Sequence, residues 1–361
     1  MNFEPTAEQT MLRDTVSNVL ADHVPGAPDD LWATFADLGL LGLTFPESDG
    51  GQGAGPIEAM IVMSELGAAP ARIPVLDCAY LPGGLLVEAA SPAQRRELLP
   101  KVAAGELRLA FAHEERGSRW PLHTVSTSAV RQGNAWRISG YKSPVLHGDE
   151  ADLLVVSATG PDGIGLFLVD PADAGVTRRG SAAHDGGRVA DIVLEQAAAE
   201  PLASRRAEDA IEAAQIAAQA ALCAEAVGAM TEALRITAEY LCTRKQFDVP
   251  LRNFQALTHR AADMYIAVSL ARGMSVYAST ALADGLIDPT VASRAKLRVG
   301  RSARFVGQEA VQLHGGIGMT KEHPISRYFA RLTAIEQTLG NSDDHLRYLV
   351  DRVAEYDLVD L

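Results

Sequence analysis

The chain has 361 residues, 47% of them hydrophobic, so it is long enough for two or three domains with substantial cores. Its net charge of −14 and pI near 5.1 argue against nonspecific nucleic-acid binding and provide no polybasic membrane anchor. The spacing of Cys78, Cys223 and Cys242 predicts neither a zinc site nor a disulfide framework. Without signal-peptide features or an uninterrupted apolar run of about 18 residues, a soluble cytoplasmic protein is expected.

Residues 1–107 are predicted to form an N-terminal helical domain. Thr6 and Gln9 have the spacing of a capping box, and an apolar helical face follows them. The breaker-rich loop PESDGGQGAGP separates two of the predicted helices. A last short helix, SPAQRRELLPKVAAGE, has a Ser start and a Gly stop.

Residues 108–203 change to short β-type runs such as ADLLVVSA, IGLFLVD and VADIVLE, which predict a small β domain. Gly and Asn between Val130 and Trp136 indicate a hairpin. Trp136 lies within a predicted strand, which favours core packing over ligand stacking.

Residues 204–361 return to helix-forming sequence, with four long segments joined by short loops. This pattern predicts a helical bundle. The predicted fold class is therefore α+β: an N-terminal helical domain, a central small β-barrel or sheet domain, and a C-terminal four-helix bundle.

Three segments carry the functional signal: LGLTFPESDGGQGAGP at 41–56, TRKQFDVPLRNFQALTHRAADM at 243–264, and AVQLHGGIGMTKEHPISRYF at 310–329. Together with the domain order, they make the chain resemble the acyl-CoA dehydrogenase family over almost its whole length. The resemblance implies FAD-dependent α,β-oxidation of an acyl-CoA thioester, in which a glutamate takes the α-proton and a hydride passes to flavin N5. The family usually passes its electrons to an electron-transferring flavoprotein.

The resemblance also implies that FAD is shared across a dimer. One subunit's β domain holds the flavin ring, and its neighbour grips the ADP end through an R-x-Q-F-G motif, a later Gln and a Q-x-x-G-G-x-G turn. An Arg fork suits pyrophosphate, and glycines allow close backbone approach. Asp248 replaces the last Gly of the first motif and adds negative charge there. The cofactor-binding residues implied are Arg244, Phe247, Gln255, Gln312, Gly315, Gly316, Asn341 and Asp343.

The half of the site that would hold the flavin ring departs from the family pattern. The usual T-E-P-G-x-G-S-D segment is HEERGSRW here, and K-x-W-I-T-N-G is KSPVLHG. Pro144 stands in the Trp place, and Leu146 replaces the Thr whose hydroxyl lies near flavin N5. Leucine donates no hydrogen bond, so the sequence predicts lost flavin contacts. Divergent contacts that still serve a flavin are the alternative.

The catalytic glutamate is missing from both positions that the family uses. Counting from Gly315 places one position on Leu339, and the other, on the first bundle helix, falls on Ala218 beside Gln219. No catalytic residue is therefore predicted in this chain. Glu336 and Asp343 lie close enough in sequence to be candidates for a relocated base.

A retained ADP half beside a missing base predicts a non-catalytic subunit of a heteromeric acyl-CoA dehydrogenase. Such α2β2 members are known in actinobacterial steroid side-chain degradation. The expected partner is a homologous catalytic subunit, and the expected substrate is an acyl-CoA thioester of a steroid. Two alternatives stay open: a self-sufficient homomeric dehydrogenase using Glu336 or Asp343, and a flavin-free CoA-ester-binding or structural protein on the same scaffold.

Overall fold

The computed structural model describes residues 5–22, 31–69, 71–121, 124–203 and 206–355. Helices precede and follow a central sheet, which confirms the predicted α+β class. The predicted capping box is present at the start of the first helix: Gln9 N donates to Thr6 Oγ1 at 3.1 Å, and Thr6 N donates to Gln9 Oε1 at 3.0 Å. The N-terminal helices are α1 (Ala7–Asp22), α2 (Leu31–Asp37), α3 (Pro56–Ala68), α4 (Leu81–Ala89) and α5 (Pro92–Ala103).

The central domain is a seven-stranded sheet of order β1-β4-β2-β3-β7-β5, with β6 paired to β7. Because β4 also pairs with β5, the strands from β4 round to β5 form a closed circuit. Trp136 packs on the core of this sheet, 5.4 Å from the Phe167 ring, which confirms its predicted packing role. The strands are β1 (Leu109–Ala112), β2 (Ser128–Gln132), β3 (Ala135–Leu146), β4 (Leu153–Gly160), β5 (Gly163–Val169), β6 (Val176–Ala182) and β7 (Arg188–Pro201).

The C-terminal domain is helical, with a two-stranded hairpin after its first helix. Its elements are α6 (Ala207–Thr243), β8 (Lys245–Gln246), β9 (Val249–Pro250), α7 (Gln255–Ala283), α8 (Pro289–His314), α9 (Pro324–Gln337) and α10 (Ser342–Asp351). The sequence pattern predicted four long helical segments in this domain, and α9 was not among them. The N-terminal signals of α9, a His323 cap and Pro324 in the first turn, lie inside the Gly-rich motif.

Contacts divide the chain into two compact units. One comprises Met1–Ala27, Pro56–Ala71 and Gln219–Leu361, and contains α1, α3, most of α6, and α7 to α10. The other comprises Pro28–Gly55 and Arg72–Ala218, and contains the sheet with α2, α4 and α5. The predicted domains 1–107, 108–203 and 204–361 follow secondary structure along the chain, and their boundaries stay a prediction.

Two helices, α6 and α7, are long and apolar enough to cross a membrane by length and composition alone. The core helices of soluble proteins pass the same test, so the observation is weak evidence for a span. The apolar window of α6 is 89% buried, as in a core helix, whereas that of α7 is only 33% buried. Among the residues that the structure describes, helix α7 therefore carries an exposed apolar face.

Candidate half-site for a dinucleotide cofactor

The hairpin β8–β9 presents an aromatic side chain at its tip. Phe247 and Asp248 have φ of 52° and 65°, so both lie in the left-handed region required by a type I′ turn. Asp248 tolerates this conformation in place of glycine, but a phenylalanine there is an outlier. The Phe247 ring is 87% exposed and has only an edge contact with Phe254, 6.3 Å away. Such a residue, held in a strained turn and facing solvent, indicates a contact with a ligand or partner.

The polar residues implied in the ADP half are also at the surface. Arg244 follows the last residue of α6, Gln255 begins α7, and Gln312 lies in the last turn of α8. All three are exposed. Their side chains make no hydrogen bond or ion pair with any residue in the described part of the chain. Each can therefore bind an external group without first breaking an internal bond.

The Gly-rich turn forms an open surface over a floor of aromatic rings. Gly315 has φ 67° and ψ −142°, a conformation that disfavours any residue with a Cβ. A Cβ built on Gly315 or Gly316 would meet nothing within 4 Å. Beneath the turn, the His314 ring stacks on Tyr240 at 4.4 Å and lies 4.6 Å from the His323 ring. Burial of His314 lowers the pKa of its imidazole, which favours the neutral form of this ring.

At the first expected base position, the structure places an amide and an imidazole rather than a carboxylate. Leu339 has φ 56°, and its carbonyl accepts hydrogen bonds from Gln219 Nε2 at 3.0 Å and His345 Nε2 at 3.1 Å. With Nε2 donating, His345 Nδ1 accepts a hydrogen bond from the Ser293 hydroxyl at 3.1 Å. Neither a leucine nor a glutamine side chain can take a proton from a substrate.

Glu336, one candidate for a relocated base, is used inside the bundle. It is buried, and its Oε1 accepts from Arg304 Nη2 at 3.1 Å and from the Ser342 backbone N–H at 3.0 Å. Its Oε2 accepts from the Gln337 side chain. Both oxygens therefore anchor the connection between α9 and α10. The catalytic alternative for Glu336 gains no support from this geometry.

Asn341 and Asp343 begin α10. Asn341 is the N-cap residue, and its Oδ1 accepts from the backbone N–H groups of Asp343 and Asp344, both at 2.9 Å. Asp344 completes a capping box by accepting from Asn341 N at 3.3 Å. The Asp343 side chain is exposed. A cofactor role for these two residues stays a prediction, and the structure supplies a separate helix-capping role for Asn341.

Two buried titratable side chains beneath this loop, Lys296 and His345, were not predicted from the sequence. Lys296 is 2% exposed, and its Nζ donates to Ile335 O at 2.7 Å; burial lowers its pKa to about 8. Burial, with the nearby Lys296 cation, also lowers the pKa of His345 to about 3. A signal for Lys296 was available: it lies beside Ala292, Ala295 and Val299 at the helical spacing of an apolar face.

In the β domain, the two altered flavin-ring segments are joined by a buried ion pair. Lys142 is fully buried, and its Nζ donates to Glu115 Oε1 at 2.9 Å and to Ser157 Oγ at 3.1 Å. Burial opposes the charge on Glu115, but hydrogen bonds from Ser126, Thr127 and Lys142 together lower its pKa to about 2. Burial lowers the pKa of Lys142 to about 8. This pair faces the interior, where it links HEERGSRW to KSPVLHG.

The positions from which a flavin ring would need hydrogen bonds are apolar or already paired. The side chain of Leu146, the last residue of β3, has no hydrogen-bond donor. Pro144 has neither a side-chain donor nor a backbone N–H. The neighbouring Ser143 hydroxyl donates to Asp191 Oδ1 at 2.6 Å. Strand β3 is thus intact up to Leu146, and what the sequence predicts to be lost there is only the hydroxyl group near flavin N5.

A helix–sheet–helix chain with a Gly-rich turn and an arginine–phenylalanine hairpin has the architecture of a flavin-dependent dehydrogenase subunit. Two family models match it: "Acyl-CoA dehydrogenase, N-terminal domain" over residues 6–106 and "Acyl-CoA dehydrogenase, C-terminal domain" over residues 209–354. The chain belongs to the acyl-CoA dehydrogenase family. Members of this family are oxidoreductases that bind FAD.

Among curated proteins, the chain is similar to acyl-CoA dehydrogenases FadE27 and FadE28 of Mycobacterium tuberculosis, each 31% identical. The alignments cover 90% and 97% of this chain, and 88% and 98% of the relatives. Among solved structures, it is similar to a chain of the Tcur3481-Tcur3483 steroid ACAD, with 34% identity, a TM-score of 0.88, and 96% and 98% coverage. It is also similar to a chain of the ChsE4-ChsE5 complex from Mycobacterium tuberculosis, with 27% identity, a TM-score of 0.88, and 99% and 100% coverage.

The residues present fit one end of FAD and not the other. At the ADP end, the guanidinium of Arg244 has no partner among the described residues, the Phe247 ring is exposed, and the Gly315–Gly316 turn is open. At the ring end, Leu146 and Pro144 replace the expected donors. The division of the site between two chains stays a prediction, and this contrast between the two ends supports it.

Proposed function

We propose that this chain is the non-catalytic subunit of a heteromeric acyl-CoA dehydrogenase. In this proposal it holds the ADP end of an FAD whose flavin ring is bound by a homologous catalytic subunit. That partner supplies the carboxylate base and the hydrogen bonds to the ring. The assembly is α2β2 with one FAD for every two chains.

The observation that carries the proposal is the asymmetry between the two halves of the site. The predicted residues of the ADP half are exposed, while Leu339, whose carbonyl accepts from Gln219, places no carboxylate at the first expected base position. Strain is retained at Phe247, where φ is 52°. A turn that binds nothing would have no need of a phenylalanine in the left-handed region. Contact of the Phe247 ring with the partner's cofactor accounts for this strained residue.

The geometry also indicates which residues of the ADP half bind the ribose and which bind the pyrophosphate. The Gly315 turn follows the C-terminus of α8, which carries partial negative charge. This helix end suits ribose hydroxyls, which can donate hydrogen bonds, better than phosphate oxygens. Arg244 is left to bind the pyrophosphate. Asp248, which follows Phe247 in the hairpin turn, weakens that attraction because it adds a negative charge.

We further propose that the substrate is the CoA thioester of a bulky polycyclic acid. The support is the similarity to a chain of a steroid ACAD, at 34% identity over 96% of this chain. Electron transfer to an electron-transferring flavoprotein and a cytoplasmic location belong to the same proposal. Cys78, Cys223 and Cys242 are all free thiols, which agrees with a reducing compartment.

The test is the ratio of FAD to protein chain, measured by visible absorbance and protein mass. The chain is purified alone and then co-expressed with each homologue encoded beside it. We expect a colourless chain when it is alone. With the right partner, we expect one FAD per two chains and oxidation of a steroid-CoA thioester in preference to a linear acyl-CoA.

Other outcomes would overturn the proposal in distinct ways. One FAD per chain in the lone protein would indicate a self-sufficient enzyme, and Glu336→Gln and Asp343→Asn would then locate its base. No FAD in any complex would indicate a flavin-free binding or structural protein. Oxidation of linear acyl-CoAs alone would overturn the steroid assignment and leave the subunit role intact.

A further inference from the structure

The rings of Tyr240, His314 and His323 form an aromatic cluster between the two ends of the predicted ADP half-site. Tyr240 lies in α6, one helical turn before Arg244, and its carbonyl accepts from the Arg244 backbone N–H at 2.8 Å. His314 ends α8 and directly precedes the Gly315 turn. The Tyr240 and His314 rings are stacked, with centroids 4.4 Å apart and planes 27° apart. The cluster therefore connects the residue proposed to bind pyrophosphate with the turn proposed to face the ribose.

The Gly-rich turn rests directly on this cluster. A Cβ built on the buried Gly318 would lie 2.9 Å from Val311 O and 3.0 Å from His314 Cβ, so only glycine lets the turn approach so closely. The Tyr240 hydroxyl donates to the His314 carbonyl at 3.4 Å, which is the peptide group that leads into the turn. Because these contacts are close-packed, displacement of either ring would move the turn relative to Arg244.

The tautomer of His314 is set by its own helix. Its Nδ1 lies 2.8 Å from Ala310 O, which can only accept, so Nδ1 carries the proton and Nε2 of the neutral ring is an acceptor. This Nε2 is buried and has no hydrogen-bond partner among the described residues. A second proton on His314 must go to Nε2. It would create a charged N–H group that is removed from water and has no acceptor.

The titratable groups that face the His314 ring do not compensate such a charge. They are Tyr240 from α6 and His323 from the segment before α9, whose ring centroid is 4.6 Å away. Glu309, on the preceding turn of α8, pairs instead with Arg260 of α7, and no carboxylate in the described part of the chain pairs with His314. The face of the Tyr240 ring attracts an imidazolium. Burial nevertheless lowers the pKa of His314 from its ordinary 6.5.

We infer that Tyr240 and His314 are positioning residues, whose stacked rings hold the Gly-rich turn in place relative to Arg244 while His314 is neutral. The inference rests on the proposed function and adds a pH limit to cofactor retention. A disrupted cluster takes up a proton more readily than an intact one, so acid favours the disrupted form. The neutral ring is fully present above pH 6.5 and is lost as the pH falls below the lowered pKa. FAD should therefore leave the complex on acidification.

The experiment measures the Kd of FAD for the co-expressed complex by flavin fluorescence from pH 8 to pH 5. His314→Phe keeps a ring on Tyr240 but cannot take up a proton. His184→Phe is the matched control, because it makes the same substitution at an exposed histidine of the β6–β7 turn, in the other compact unit. Between pH 8 and pH 5 we expect the Kd of wild type and of His184→Phe to rise about 5-fold or more, and that of His314→Phe to rise less than about 2-fold.

His314→Leu separates stacking from titration. Leucine is a good helix former but has no ring to stack on Tyr240. At pH 8 we expect this variant to raise the Kd of FAD about 10-fold, and His314→Phe to stay within about 3-fold of wild type. Urea unfolding of each lone chain at pH 8 shows whether stability has changed. A purely structural role for His314 would leave the pH profile of His314→Phe parallel to that of wild type.

Histidine-ring NMR of the lone chain tests the cluster without any cofactor. The resonance that is missing from His314→Phe should titrate below pH 6.5. Titration at or above that value would contradict a cluster that requires the neutral ring.

The outcomes separate this inference from the proposed function. If the wild-type complex binds FAD and His314→Phe shows the wild-type pH profile, or if His314→Leu binds FAD as tightly as wild type at pH 8, the inference fails while the proposed function stands. If no homologue gives a complex that contains FAD, the proposed function fails and this inference fails with it.

Discussion

Arg244, which is predicted to hold the cofactor, differs in exposure from the arginines that hold the fold together. Other arginines of the same helical unit are held by carboxylates: Arg331 Nε donates to Glu225 Oε1 at 2.5 Å, and Arg260 Nε donates to Glu309 Oε2 at 2.5 Å. Arg244 is exposed and has no internal partner within the described residues. Its removal should therefore affect ligand binding without affecting the fold.

Arg244→Ala should leave the free energy of unfolding of the lone chain within about 0.5 kcal/mol of wild type. The complex should bind FAD about 10- to 100-fold more weakly, because charge-assisted hydrogen bonds to the pyrophosphate are lost. Urea unfolding and flavin fluorescence titration measure the two effects. Arg96→Ala, at another exposed arginine, is the control. Equal FAD affinity in both variants would show that Arg244 does not hold the cofactor.

His345 illustrates the opposite case of a titratable residue that acts on stability. Its folded-state pKa is about 3 against an ordinary 6.5, mainly because of burial, and its neutral form makes both of its hydrogen bonds. Between these two values the unfolded chain binds a proton that the folded chain does not. The stability contributed by the neutral ring is complete above pH 6.5 and is lost as the pH falls toward 3.

His345→Gln should therefore reduce the acid sensitivity of folding. We expect wild type to lose about 1.4 kcal/mol per pH unit from this histidine well below pH 6.5, a slope that the variant lacks. Urea unfolding at pH 7, 6, 5.5 and 5 measures the difference. His259→Gln, at an exposed histidine, should keep the wild-type slope. The same slope in His345→Gln as in wild type would contradict burial as the cause.

Two short elements position the Phe247 side chain and the Leu339 loop in the unit that contains Gln219–Leu361. The β8–β9 hairpin displays Phe247 because a two-residue I′ turn leaves its tip side chains outside the hairpin. The α10 cap fixes the other loop: Asn341 accepts two backbone N–H groups, and Ser342 N donates to Glu336. The loop containing Leu339 is thus held at both ends, although it carries no base.

Asn341→Ala should lower the free energy of unfolding by about 1 kcal/mol, because two N–H groups of α10 lose their acceptor. Asn341→Ser should retain most of the stability, since serine is also a good N-cap. Chemical denaturation measures both variants, and FAD titration of the complex separates the roles. FAD loss in the stable serine variant would assign Asn341 to the cofactor in addition to the cap.

At the scale of the whole molecule, the two positions where the sequence predicts a loss of function lie in different units of the chain. Leu339 belongs to the unit that contains Gln219–Leu361, and Pro144 and Leu146 belong to the unit that contains Arg72–Ala218. The polar groups near each position are paired. The Leu339 carbonyl accepts two hydrogen bonds in one unit, and the Lys142–Glu115 pair is buried in the other. Repair of one position therefore cannot restore the chemistry.

Leu339→Glu should give a lone chain that binds no FAD and has no dehydrogenase activity, because the ring contacts remain absent. In the complex, turnover per FAD should stay within about 2-fold of wild type, since the reacting flavin faces the partner's base rather than this position. Acyl-CoA oxidation with an artificial electron acceptor measures both, and circular dichroism confirms folding. Flavin-dependent product from the lone variant would show that the β domain still binds a flavin.

The sequence by itself determined the α+β class, the capping box at Thr6 and Gln9 and the β2–β3 hairpin. It also determined that position 339 has no carboxylate and position 146 has no hydroxyl. These follow from residue identity and local periodicity, which act over a few residues. Only the tertiary structure decided that Gln219 bonds to Leu339 across 120 residues, that Lys142 is buried against Glu115, and that Phe247 is exposed. The identity of a glutamine or lysine does not encode burial; packing does, because it depends on which distant elements meet.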